Sequence, residues 1–408
     1  MDFFKVVSIE EAREKLINNF KDYKLPIEEV DILDSLNRVL AEDIISNINV
    51  PEFNRSTVDG YAIKSSDSHG ANESMPSFLN IVGEVKMGEN TNIKIKSGEA
   101  VYVPTGGMIP EGADSVIMIE NAERLDENTI AVYKAISPGE NLIFKGDDIK
   151  KGELVLEKGK RVTSQDIGAL AAIGISKVKV YRRPKFYVIS TGDEIIDIDE
   201  ELEIGKIRDI NGYSLSALIK KIGGEVVDKV IVKDDFDLLK EEMEKALSLS
   251  DIVLISGGSS VGARDYTYDL INSFDDIGVF VHGVSIKPGK PTLIGRANGK
   301  AVFGLPGHPV SAIIVFKVFV EHFIKELIDY KEEIRKTKAI MDFNVHSSPG
   351  KETYQMVTLE ERDGKLYATP IFGKSGMITL LSKSNGYIVI KSHEEGVTKG
   401  EEREVFFL

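Results

Sequence analysis

Residues 256–265 read Ser-Gly-Gly-Ser-Ser-Val-Gly-Ala-Arg-Asp and follow the apolar run Asp251-Ile252-Val253-Leu254-Ile255. Gly257, Gly258 and Gly262, with Ser259 and Ser260, are more glycine and serine than a plain turn requires. Such a loop presents backbone N–H groups to an anion. It lacks the Gly-Lys-Ser/Thr ending of a P-loop and the G-x-G-x-x-G spacing of a dinucleotide site. Asp265 closes the stretch. An acid beside an anion makes chemical sense when a divalent cation sits between them, although a lone aspartate there also serves as a helix cap.

Other stretches carry compatible chemistry. In Ser285-Ile286-Lys287-Pro288-Gly289-Lys290-Pro291, two prolines stiffen a turn that holds two ammonium groups in fixed relation, a plausible clamp for an oxyanion. Asp193 and Glu194 in Ser-Thr-Gly-Asp-Glu, and Asp234 and Asp235 in Lys-Asp-Asp, are solvated acids by default. If they converge, they repel one another unless a divalent cation or a basic ligand compensates. Asp59 precedes Gly60 in a pattern that reads as a turn, with Ser56 and Thr57 close by, and Thr105 offers a hydroxyl in a turn-rich segment. His308, in Leu-Pro-Gly-His-Pro between Pro306 and Pro309, reads as a structural loop histidine. No Ser-His-Asp context and no HExxH spacing occurs in the sequence.

The elements that must position these residues follow from periodicity. Ser8 to Glu11 forms a capping box ahead of a helix with Ala12, Leu16 and Phe20 on one face. A second helical pattern lies around Leu33-Asp34-Ser35-Leu36-Asn37-Arg38-Val39-Leu40-Ala41-Glu42-Asp43-Ile44. From residue 48 to 146 the texture is short, alternating and β-rich, and a helical pattern returns within 147–180. The β-rich block is therefore read as domain II, inserted into a discontinuous, partly helical domain I of 1–47 and 147–180. From 181 to 332, strands alternate with helices, as in a parallel doubly wound α/β sheet, with Asn211 as a helix cap. In such sheets ligands sit beyond the carboxyl ends of the strands, where the acidic, glycine-serine and Leu-Pro-Gly-His-Pro segments all fall. Residues 333–408 read as a small all-β closing domain. The fold class is thus multidomain α/β plus β.

The 408-residue chain has 51 basic and 66 acidic residues, a net charge of −15 and no cysteine. Thiolate metal sites and cysteine nucleophiles are excluded. An acidic chain without a basic tail is poorly suited to nucleic acid or a membrane surface, so an anionic ligand needs a local basic pocket. No signal-peptide pattern opens the chain, and the most apolar run is broken by Lys317 and Glu321. The reading is a soluble cytoplasmic protein.

Taken in order, Ser-Thr-Val-Asp-Gly-Tyr-Ala-Ile (56–63), the 105–120 segment, Ser-Thr-Gly-Asp-Glu-Ile (190–195), the 256–267 loop, Ile-Lys-Pro-Gly-Lys-Pro-Thr (286–292) and Leu-Pro-Gly-His-Pro-Val-Ser-Ala (305–312) resemble the molybdopterin molybdenumtransferase family, MoeA and the gephyrin E domain. Gly-Lys-Ser-Gly-Met-Ile (373–378) extends the resemblance into the last domain. The resemblance implies a four-domain homodimer whose α/β domain is MogA-like, similar to the molybdopterin adenylyltransferase fold. It implies insertion of molybdate or tungstate into adenylylated molybdopterin with Mg²⁺-dependent release of AMP. The molybdopterin adenylyltransferase is then a further candidate partner. The implied functional positions are Asp59, Thr105, Glu194, Asp234 and Asp265, with Mg²⁺ on acids such as Glu194 and Asp265. Substrate contacts are expected at Ser56, Gly257, Gly258, Ser259, Ser260, Gly262, Lys287, Lys290, Pro291, Pro306, Pro309, Lys351 and Ser375. The implied site is shared between the α/β domain of one subunit and the inserted domain of the other. The sequence departs from the family pattern at Ser259, His308 and Met356, the last where many relatives carry a second basic residue beside Lys351. The choice between molybdate and tungstate stays open.

Two rival functions fit parts of the pattern. One is adenylyl transfer from ATP to molybdopterin by the α/β domain. The other is a scaffold without catalysis. The extra domains and the paired lysines weigh against the first, and the intact set of acids and lysines weighs against the second.

Overall fold

The computed structural model describes residues 5–257, 266–330 and 335–408. The helix Ile9–Asn19 begins as the capping box requires, the Ser8 hydroxyl accepting from the Glu11 N–H. Its buried Ile9, Ala12 and Leu16 join the core of the α/β unit, where they meet Phe303, Phe319 and Phe323, rather than the strands of residues 27–45. Those strands pair with 154–156 and 177–181 and build a separate core from Leu40, Ile44, Leu156, Val162, Leu170 and Val180. The helix expected around residues 33–44 is absent. A hydrogen-bonded turn occupies its start, and Asn37 takes a left-handed φ of 63°, which stops helical propagation. The chain then bridges in extended form, Val39 to Arg161 and Leu40 to Val180.

Between these elements lies a six-stranded sheet of Gly60–Ile63, Ser77–Glu84, Glu99–Val103, Ser115–Met118, Ala122–Arg124 and Thr129–Val132. Gly60 starts a strand rather than completing a turn. A Cβ there would run into the Ile117 carbonyl oxygen of the neighbouring strand, so only glycine permits this pairing.

The α/β sheet runs Glu225–Val232, Lys185–Thr191, Ile252–Ser256, Lys300–Leu305, Leu293–Ala297, Gly278–His282. The first four strands are parallel, and the last two are antiparallel. The sheet is doubly wound, because successive residues of Lys185–Thr191 enter opposite cores. Phe186 and Val188 pack with Leu215, Ile219 and Phe316 on one face, and Tyr187 and Ile189 with Leu239, Met243 and Leu270 on the other. Lys185–Thr191 has Glu225–Val232 on one side and Ile252–Ser256 on the other, so the strand order reverses beside it. That is the place where open α/β sheets form a crevice.

The last unit is a closed barrel. Glu352–Arg362 pairs with both Lys365–Pro370 and Gly386–Ile390, and the ring is completed through Lys336–Met341 and Glu402–Phe407. Closure removes the sheet edges, except where Ile286–Lys287 of the α/β unit adds to Glu352–Thr353. No described helix is long and apolar enough to cross a membrane.

Candidate active site

The carboxyl edge of the α/β sheet collects several of the nominated residues. Glu194 is exposed just past Thr191, with its carboxylate lying over Gly192, where a Cβ would stand 2.9 Å from each carboxylate oxygen. On the adjacent strand's end, Asp234 accepts a 2.6 Å hydrogen bond from the Thr191 hydroxyl. Its N–H lies 3.4 Å from the Asp193 carboxylate. Gly257, at the end of the central strand, has φ 107°, and a Cβ there would run into the Thr191 carbonyl oxygen. Glycine is therefore required for the two strand ends to approach this closely. Gly258, Ser259, Ser260, Gly262 and Asp265 lie outside the described residues.

The Leu-Pro-Gly-His-Pro turn sits on the same edge. Pro306 is buried, and Pro309 is the first residue of the helix Pro309–Val315, a position where proline sacrifices no helical hydrogen bond. The turn is tied to the glycine-serine strand end by Asn211. Its Nδ2 donates to the Ser256 hydroxyl at 2.7 Å and to the Gly307 carbonyl at 2.9 Å. Asn211 is only 8% exposed, and its Oδ1 has no hydrogen-bond partner among the described residues. The expected capping role belongs instead to Asp209, whose carboxylate accepts from the Gly212 N–H and the Ser190 hydroxyl, both at 2.8 Å. Lys229 stands 3.6 Å from the buried Asp209 carboxylate and supplies its countercharge. Burial disfavours the charged Lys229, yet its bond to Asp197 and the Asp209 charge hold the ammonium above the usual lysine range. The sequence signal for this pair was Asp209-x-Asn211 directly before an amphipathic helix.

The barrel contributes Ser375. Its hydroxyl is 2.8 Å from His308 Nδ1, and its carbonyl accepts from the Val310 N–H at 3.1 Å. His308, read from sequence as structural only, is thus the contact between the turn and the last domain. Lys287 and Lys290 are both exposed at the seam between the two units. Lys287 pairs in register with Thr353, one residue beyond Glu352, whose N–H donates to the Ser285 carbonyl at 3.0 Å. That places exposed Lys351 next to the same seam. The Lys290 carbonyl accepts from both Val284 and Thr292 N–H groups, fixing the backbone while leaving the ammonium outside; half-buried Pro291 follows. Gly289, with φ 120°, lies against Val315 and Ser311 of the helix that leaves the Leu-Pro-Gly-His-Pro turn.

Asp59 and Thr105, nominated 46 positions apart, meet directly. The Thr105 N–H and hydroxyl donate to Asp59 Oδ1 at 2.7 and 3.2 Å. Ser56 is buried beside them, its hydroxyl bound to the Val58 carbonyl at 2.6 Å. It also accepts from the Val58 N–H at 3.2 Å, so both bonds shape the turn. The Asp59 bonds remain inside the inserted domain, and none of them reaches the acids of the α/β edge. All candidate metal donors are hard oxygens, which suits a Mg²⁺-type ion. Among the described residues, no three of them are gathered into a ready-made metal cluster.

Comparison with known proteins agrees over the whole length. Residues 7–174 match the MoeA N-terminal region (domain I and II), 187–326 the family described as "Probable molybdopterin binding domain", and 338–408 the MoeA C-terminal region (domain IV). A crystal structure of the molybdopterin biosynthesis MoeA protein from Pyrococcus horikosii superimposes with a TM-score of 0.84 at 40% identity, covering 99% of each chain. The molybdopterin molybdenumtransferase of Haemophilus influenzae is 33% identical over 401 residues, 97% of both chains. That of Staphylococcus aureus is 32% identical over 397 residues, 97% of this chain and 94% of the relative. Fold and site thus define a transferase of molybdenum cofactor biosynthesis. The chain belongs to the molybdopterin molybdenumtransferase, or MoeA, family.

Proposed function

We propose that the protein inserts molybdate or tungstate into adenylylated molybdopterin and releases AMP in a Mg²⁺-dependent reaction, in the cytoplasm, as a homodimer. The observation that carries the reading is the convergence on one sheet edge of four segments distant in sequence. Asn211 ties Ser256 to Gly307, and His308 ties the same turn to Ser375. A pocket so assembled, with acids on one flank and lysines at the seam, suits a substrate carrying a phosphate anhydride together with an oxyanion.

In this reading the glycine-serine loop binds the phosphate or pterin end of the substrate through backbone N–H groups. Lys287, Lys290 and Lys351 hold the oxyanion by charge-assisted contacts in a chain whose net charge repels anions. Glu194, with Asp265, would hold Mg²⁺, which when bound offsets the charge of the anhydride. Asp234 is oriented by the Thr191 hydroxyl and positions ligand. The Asp59–Thr105 pair belongs to the same chemistry when the inserted domain of the partner subunit reaches the α/β edge, since its bonds within one chain stop short of it. No protein nucleophile is needed. Supplying the protein either with molybdopterin and ATP, or with adenylylated molybdopterin, Mg²⁺ and molybdate, tests the assignment. AMP release in the second mixture supports it, and pyrophosphate release confined to the first marks an adenylyltransferase.

A further inference from the structure

Away from this edge, a cleft open to solvent lies between the N-terminal unit and the α/β unit. Arg38, Arg161, Arg182 and Arg183 line it together with Asn37, and no acidic residue does. In a chain of net charge −15 this is an uncommon concentration of guanidinium groups. Two of the four are matched by carboxylates: Arg38 by Glu28, and Arg182 by Asp251 at 2.8 Å. Burial works against the charged Asp251, but bonds from Tyr23, the Lys185 N–H and Arg182 hold its carboxyl below the usual range, so it stays ionised as the Arg182 counterion.

Arg161 and Arg183 have no carboxylate partner among the described residues. Arg161 is nonetheless fixed. Its guanidinium lies 4.8 Å from the Tyr330 ring centroid, Nε donates to the Tyr330 hydroxyl at 3.2 Å, and Nη2 to the Ile222 carbonyl at 3.4 Å. Its Nη1 lies beside Gly223, 4.0 Å from where a Cβ would stand there. Arg183 is exposed, and its carbonyl accepts from Arg182 Nη1 at 2.9 Å, holding the two consecutive arginines together. The apolar wall of Val39, Ile324 and Ile328 lowers the local dielectric and strengthens any ionic contact made there.

We infer that this inter-domain cleft binds a phosphate-type oxyanion, free or carried by a small metabolite, between Arg161 and Arg183. Two guanidinium groups without carboxylate partners among the described residues, one of them fixed on Tyr330, suit a multiply charged tetrahedral anion better than a single carboxylate. Guanidinium groups gathered at one point suit a small, multiply charged ligand better than an acidic protein segment, whose charges are spread along its chain. The site lies outside the proposed catalytic edge and does not depend on the reading of that edge.

The test is titration calorimetry of the full-length protein with inorganic phosphate and with pyrophosphate, at constant ionic strength. Saturable binding of either is expected. It should weaken at least about ten-fold in Arg161→Gln and in Arg183→Gln, the loss of one charge-assisted contact. The binding component lost in those variants should persist in Lys290→Met, which removes a charge only at the seam lysines. If Arg161→Gln proves unstable through loss of its Tyr330 contact, Arg183→Gln decides alone. Binding unaffected by the arginine variants, binding abolished by Lys290→Met, or binding of an acidic peptide when neither oxyanion binds would overturn the inference.

Discussion

Replacing Asn211 with leucine removes the tie between the glycine-serine strand end and the Leu-Pro-Gly-His-Pro turn without greatly changing side-chain volume. Two hydrogen bonds are lost, of 2.7 and 2.9 Å. Each contributes about 0.5–1.5 kcal/mol net. The Ser256 hydroxyl, buried at the strand end, is left without this partner, which adds about 1–2 kcal/mol, whereas Gly307 is exposed and its carbonyl finds water. The sum is about 2–5 kcal/mol for the α/β unit. At roughly 2–4 °C per kcal/mol for a unit of this size, its melting transition should fall by roughly 4–20 °C. Function should suffer more than stability, because displacement of a loop by about 1 Å can cost roughly a hundred-fold in rate. Asn211→Asp keeps the shape but turns an acceptor toward the Gly307 carbonyl, and should damage turnover comparably. Calorimetric melting and kcat/KM for AMP release, measured on both variants, check this. A leucine variant with wild-type melting and wild-type kcat/KM would refute the role given to Asn211.

Further outcomes follow from the same geometry. Lys290→Met keeps most of the aliphatic stem and removes the charge; the molybdate requirement should rise roughly ten- to a hundred-fold while affinity for adenylylated molybdopterin changes far less, as calorimetry can show. Mixed dimers of inactive Asp59→Ala and inactive Asp265→Ala subunits should regain activity, and no recovery despite proven subunit exchange would contradict a shared site. Burial, reinforced by the charges of Arg13 and Lys325, pushes His322 from its usual 6.5 down to about 4. Because the folded value is the lower one, its contribution is complete above about pH 6.5 and is lost as pH falls toward 4. His322→Gln should therefore show a shallower loss of urea stability than wild type across that window, and identical slopes would remove His322 as a cause.

Much of this architecture is legible in the residue pattern, for reasons that also mark where it fails. The strands Lys185–Thr191 and Ile252–Ser256 are continuous apolar runs because both faces of the sheet are covered, and their loops stand out by composition. The antiparallel strands Gly278–His282 and Leu293–Ala297 are hidden. The second carries Gly295 and Arg296, and only the tertiary fold explains the glycine, since a Cβ there would stand 2.6 Å from Ile271 Cγ2. The helical periodicity around residues 33–44 is real but is overridden by pairing with residues 161 and 180, distant in sequence. For the candidate site, residue types together with the family resemblance nominated Asp59, Thr105, Glu194, Lys287 and Ser375. Asn211 looked like a cap because its decisive partners, Ser256 and Gly307, lie 45 and 96 positions away.

The central claim is that this edge couples cleavage of the adenylyl anhydride to insertion of an oxyanion. It is tested most directly by AMP release from adenylylated molybdopterin at fixed Mg²⁺ as molybdate or tungstate is titrated. The account requires AMP to appear in step with metal incorporated into the pterin, saturating with the oxyanion. AMP release indifferent to the oxyanion, or metal insertion without AMP release, would contradict it.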